Sequence, residues 1–143
     1  MSQEFGATTY TWQSPVTGVI TSGFGYRTNP VLGTEELHNG IDIAADIGTK
    51  ALAACDGVVT DTGRSPTYGI YVTFDTTDGY QVFYAHLSKA LVQEGDRVKK
   101  GDVIALTGDT GLATGPHLHY SVFRDGKPLD PLSLPQVVVD SGP

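Results

Sequence analysis

Residues 115–123 read "GPHLHYSVF" and carry two of the chain's four histidines, His117 and His119. Residues i and i+2 of a β-strand share a face and stand about 6.6 Å apart along it. Both imidazoles therefore project to one side. The stretch "HNGIDIAA" (38–45) sets His38 and Asp42 at i and i+4, again on one face of a strand. A helix would also bring i and i+4 together. Gly40 and the alternation of Ile41 and Ile43 with polar residues favour a strand over 38–45. His86 follows a Tyr-Ala pair, ends a third strand and is the last of the four histidines. Imidazole and carboxylate together suit Zn2+, with bonds of about 2.0–2.2 Å. Every histidine thus falls in one of three short strand-like motifs. The "HLH" spacing alone leaves three uses open: two ligands of one metal, one ligand beside a proton carrier, or two ordinary strand residues.

The elements that must position these groups are short strands between turns. "VTGVITSGF" (16–24) is β-prone with glycine breaks. "TKALAACDGVVTDTG" (49–63) reads as two strands about an Asp56-Gly57 turn. Strands 69–75 and 80–86 flank "TTDG" as a hairpin, with Gly79 supplying a positive φ. Gly95-Asp96 and Gly101-Asp102 form tight turns leading to Val98 and to Val103-Ile104-Ala105, the two aspartates acting as turn formers. Residues 117–123 make a further strand, and "RDGKPLDP" (124–131) a turn with a proline-limited end. "SKALVQ" (88–93) is the one short helical candidate. Many short strands with glycine turns predict an all-β sandwich or partly open barrel. Tyr68, Tyr84 and Tyr120 read as packing residues rather than substrate contacts.

Composition sets the outer bounds. The 143 residues suffice for one domain, read as 1–135 with 136–143 as a tail or linker. Eighteen glycines and eight prolines argue against long helices. The sequence has neither an apolar run of membrane-spanning length nor the basic and apolar regions of a secretory signal at its start. Sixteen acidic against nine basic residues give a net charge of −7 without a basic stripe, so no nucleic-acid partner is expected. The single cysteine, Cys55, excludes an internal disulfide and reads as a small buried hydrophobe. "GFGYR" (23–27) lacks the Lys-Ser/Thr ending of a phosphate loop and reads as a turn.

Taken in order, "SGFGYRTNP", "HNGIDIAADIGTKALAACDGVV", "YGIYVTF", "YAHLS", "VQEGDRVKKGDVIALTGDTGLATGPHLHYSVF" and "LDP" resemble the lysostaphin-like, or LytM-like, zinc metallopeptidases of family M23 over roughly residues 12 to 132. The resemblance implies an all-β fold of antiparallel sheets with a central groove, akin to a barrel-sandwich hybrid, which loops 27–37, 62–68 and the glycine-rich 108–117 are expected to wall. It implies one Zn2+ per chain held by His38, Asp42 and His119, with His86 and His117 in the catalytic role. The implied activity is endopeptidase cleavage of stem peptides or cross-bridges in bacterial peptidoglycan.

On that reading, three protein ligands leave a fourth tetrahedral position for a water of lowered pKa. Binding both His117 and His119 would close it. No His-Glu-x-x-His motif supplies a glutamate base. His117 is then the expected base, and His86 the group for the oxyanion or the leaving amine, in roles that could exchange. The alternative is a silent relative that binds cell wall or activates a partner amidase; the intact set of five residues speaks against it. A biotinyl- or lipoyl-type carrier would need a lysine at the "TTDG" tip. A structural zinc protein would show a closed four-ligand site. The expected setting is the bacterial wall, reached as a secreted autolysin or as a phage lysin or tail enzyme, by a monomer.

Overall fold

Alternating apolar residues decide which face of each strand meets the core. The computed structural model describes residues 12–28 and 33–134. The expected tail at 136–143, residues 1–11 and residues 29–32 of loop 27–37 lie outside the described residues. In chain order the strands are β1 (Ile20–Ser22), β2 (Gly25–Thr28), β3 (Glu35–His38), β4 (Ile41–Ala44), β5 (Lys50–Leu52), β6 (Gly57–Ser65), β7 (Gly69–Thr76), β8 (Tyr80–Ala90), β9 (Arg97–Val98), β10 (Val103–Thr107), β11 (His117–Arg124) and β12 (Lys127–Leu129). A 3-10 turn at Pro131–Ser133 follows.

Ten strands form one antiparallel sheet in the order β1-β4-β11-β8-β7-β6-β9, with β10 joining β5 to β8 and β12 flanking β11. Strands β2 and β3 form a separate ribbon. The fold is therefore all-β, as expected. Ile41, Ile43, Val72, Phe74, Val82, Tyr84, Leu118, Tyr120 and Val122 fill the core with Trp12. Cys55 belongs to this core, and burial foremost pushes its thiol pKa up. The hairpin at "TTDG" forms as expected, with Gly79 at φ +97°. Gly95 and Gly101 also take positive φ, and the Asp96 and Asp102 carboxylates accept hydrogen bonds from the backbone N–H groups of Gln93 and Lys99.

Four local expectations are corrected. The strand foreseen over 16–24 is confined to β1, and Gly23 and Phe24 separate it from β2. The continuous strand over 38–45 is broken at Asn39-Gly40, so His38 ends β3 while Asp42 lies in β4. Gly40 sits so close to β11 that a Cβ there would land on the Tyr120 carbonyl and the Ser121 hydroxyl. The two strands of 49–63 do not pair with each other: β5 pairs β10, and β6 pairs β7 and β9. Asp56 accepts instead from the Lys100 backbone N–H at 2.8 Å. Residues 88–93 form no helix, because β8 runs on to Ala90 against β10 and the Leu91 N–H donates to Ile104. Ladder pairing overrides weak local propensity here.

A candidate metal centre

Strand β11 alternates strictly. Leu118, Tyr120 and Val122 enter the core, so His117, His119 and Ser121 share the opposite face. The register of β11 on β4 places His119 directly across from Asp42 and His117 across from Ala44. His119 Nδ1 consequently stands 3.0 Å from Asp42 Oδ1. His38 arrives from the β2–β3 ribbon, with Nε2 3.5 Å from the same oxygen. One ligand-capable atom from each of His38, Asp42 and His119 lies within 4.8 Å of the other two. These three residues could hold a metal ion. His117 stands outside this triad, its Nε2 3.7 Å from Asp42 Oδ1.

The outward nitrogens of the histidines determine what the inward ones can do. A carbonyl oxygen only accepts, so a ring nitrogen facing one must carry the proton. His38 Nδ1–H donates to the Gly23 carbonyl at 2.8 Å. His86 Nδ1–H donates to the Thr110 carbonyl and His117 Nδ1–H to that of Gly115, at 2.7 and 2.8 Å. The Nε2 lone pairs of these three rings are thereby left free of their own proton. His119 is turned the other way: in the tautomer that can hold a metal, Nε2–H donates to Ser121 Oγ at 2.7 Å, Ser121 Oγ donates to Asn39 Oδ1, and the Nδ1 lone pair is left 3.0 Å from Asp42 Oδ1. This is the donor set of a divalent metal with its outer partners in place. Burial works to raise the pKa of the Asp42 carboxyl, but the adjacent His119 and His38 imidazoles outweigh it and hold the group well below the usual range.

His86 was expected at a strand end but lies within β8. There the strand leaves β11, at Ala85↔His119, and takes up β10, at Leu87↔Thr107. The change of partner puts His86 at φ +60°, a conformation that costs about 1–3 kcal/mol for a non-glycine residue and persists only where neighbours impose it. Its N–H donates to the Tyr68 carbonyl at 2.7 Å. Its ring packs 4.9 Å from that of His117, centroid to centroid. Burial foremost lowers its pKa, with the neighbouring histidines adding to the effect.

All five residues singled out in the sequence therefore converge on one groove of about 680 Å³. Its walls include Leu37 from β3, Tyr68 before β7, and Leu112 and Thr114 from the 108–116 loop, matching the three loops expected to wall it. Tyr84 and Tyr120 are core residues, as read. Tyr68 differs: it packs edge-on against Phe83 yet also lines the groove, with its ring 6.0 Å from that of His119. Nothing in the spacing around Tyr68 marks it. Ser121, which fixes the His119 tautomer, was within reach of strand alternation, being two residues beyond His119.

A β-groove presenting a histidine-carboxylate triad with two further histidines beside it is a candidate metal centre of the kind zinc hydrolases use. The particular family follows from comparison: residues 36–131 match the model of peptidase family M23, and the chain belongs to that family. It is 47% identical over 115 residues to the DD-carboxypeptidase/endopeptidase Mpg of Neisseria meningitidis, covering 80% of this chain and 26% of that protein. It is 43% identical over 112 residues to the peptidoglycan DD-endopeptidase ShyA of Vibrio cholerae, covering 78% and 26%. A zinc-containing peptidase from Vibrio cholerae superposes with a TM-score of 0.78 at 41% identity, over 82% of this chain and 37% of that one. The chain thus spans about a quarter of the length of the curated relatives it matches.

Proposed function

We propose that this chain is a zinc-dependent endopeptidase that cleaves peptide bonds in the stem peptides or cross-bridges of bacterial peptidoglycan. The observation that carries the reading is the triad: His38 Nε2, Asp42 Oδ1 and His119 Nδ1 converge within 4.8 Å. The outer nitrogens of both histidines are already committed as donors, to Gly23 and Ser121. Two imidazoles and a carboxylate form an open, three-ligand set of the catalytic kind. When bound, the ion supplies Lewis acidity toward a peptide carbonyl and acidifies a water. The names of ShyA and of the zinc-containing peptidase support the substrate class and the metal.

The chain's own residues do the rest. His117 presents an unprotonated Nε2 beside Asp42 and outside the triad, which suits a base that takes a proton from water. His86 presents Nε2 from the neighbouring ring; once protonated there, by the proton that His117 takes from the water or by solvent, it would hydrogen-bond the developing oxyanion or hand that proton to the departing amine. Burial foremost lowers its pKa, which favours giving that proton up. Tyr68, Leu37 and Leu112 supply apolar wall on which a peptide can lie. The site of action is the bacterial cell wall.

The test is digestion of purified cell walls with and without a chelator, followed by mass spectrometry of the released fragments. New amino termini that vanish with chelator are the expected result. Release of sugar ends refutes the reading in favour of a glycosidase, and no release from zinc-loaded protein refutes it in favour of a wall-binding module.

A further inference from the structure

We propose that Thr110 is the positioning residue for His86; the proposal rests on the reading of His86 as a proton carrier. Thr110 does not line the groove, and each of its polar contacts bears on the place where His86 sits. Its carbonyl accepts the His86 Nδ1–H at 2.7 Å. Its hydroxyl donates to the carbonyl of Leu87, the next residue in β8, at 2.6 Å, and accepts from the Ile70 N–H of β7 at 3.0 Å. The β7–β8 ladder skips between Ile70↔Leu87 and Val72↔Tyr84. Thr110 therefore fastens both strands beside the skip at which His86 takes a φ of +60°.

Two glycines let it come this close. A Cβ on Gly69, at φ +64°, would land on the Thr110 hydroxyl and backbone. A Cβ on Gly111, at φ +76°, would land on the Gly69 nitrogen and collide with the Thr67 carbonyl. The Leu112 N–H donates to that same carbonyl at 2.9 Å, closing the contact between the two loops. The hydroxyl thus holds in place the carbonyl that fixes the ring's tautomer and direction. Without it, the strained turn at His86 loses two of its fastenings and the ring is free to shift.

The experiment compares Thr110→Val, which keeps shape but loses the hydroxyl, with Thr110→Ser, which keeps the hydroxyl; Thr110→Ala replaces the valine if that variant does not fold. The readouts are bound zinc, the His86 Nδ1–H proton resonance and its exchange rate in the metal-free full chain, and kcat against KM on wall peptides. The expected valine variant binds zinc fully and loses the protected resonance. Its kcat falls by about 10²-fold with KM little changed, the cost of ångström-scale misplacement of a reacting group. Serine restores the resonance and kcat. An unchanged resonance or kcat in the valine variant overturns the proposal, as does zinc loss, or a serine variant as impaired as valine. If the wild type cleaves nothing while the resonance still depends on the hydroxyl, the positioning stands and the peptidase reading falls.

Discussion

Replacing Ser121 with alanine tests how the metal centre is prepared. Ser121 is fully buried and receives the His119 Nε2–H at 2.7 Å. Its removal strands a buried donor, a penalty of about 1–3 kcal/mol. The imidazole escapes that penalty by moving its proton to Nδ1, where Asp42 Oδ1 accepts it 3.0 Å away. That proton occupies the lone pair the metal needs, so binding must reverse the tautomer shift. The cost passes directly into affinity: zinc binding weakens about 10–100-fold, or roughly 1.4–2.8 kcal/mol, in line with losses seen for outer partners of metal ligands. Competition against a chromophoric chelator measures the affinity, and nitrogen chemical shifts of His119 in the metal-free protein report the tautomer. A folded Ser121→Ala protein with wild-type zinc affinity would refute the tautomer reasoning, whatever its activity.

Other substitutions separate the remaining roles. His119→Ala loses both zinc and activity, whereas His117→Ala keeps zinc and loses about 10²–10⁴ in kcat; a metal-free His117→Ala protein would make His117 a ligand. The two core tyrosines differ in sign. The Tyr84 hydroxyl donates to the Leu52 carbonyl and accepts from the Ala54 N–H, so Tyr84→Phe strands buried groups and costs about 1–3 kcal/mol in urea unfolding. The Tyr120 hydroxyl is buried without a partner among the described residues, so Tyr120→Phe holds or raises stability in the same assay. In the metal-free protein the lowered His86 pKa makes the unfolded chain bind the extra proton first. Stability therefore falls as pH drops from about 6.5 toward the folded value. His86→Gln flattens that slope; an equally steep decline in the variant would assign it to other groups.

Much of the site could be read from residue spacing because a strand has a two-residue period. The shared face of His117 and His119 follows from that period whatever the strand packs against, and Ser121 lies on the same row. The turns at Gly79, Gly95 and Gly101 were equally readable, since positive φ and carboxylate-to-backbone bonds are local properties. The errors fell where a distant segment decides local conformation. His38 and Asp42 belong to different strands because Gly40 is pressed against β11. Residues 88–90 extend rather than coil because β10 offers ladder partners.

By itself the sequence determined the chemical inventory and the faces: four histidines in strand-like motifs, a carboxylate in one of them, glycine-punctuated strands, and the family resemblance that assigned ligand and proton-carrier roles. Only the tertiary structure decided that the motifs meet. The register that sets His119 opposite Asp42 and the partner exchange that turns the backbone at His86 are products of pairing between residues far apart in the chain. So are the outer hydrogen bonds from His38 to Gly23 and from His86 to Thr110. Side-chain period is a property of a few consecutive residues, whereas which nitrogen carries a proton depends on what the rest of the fold places behind the ring.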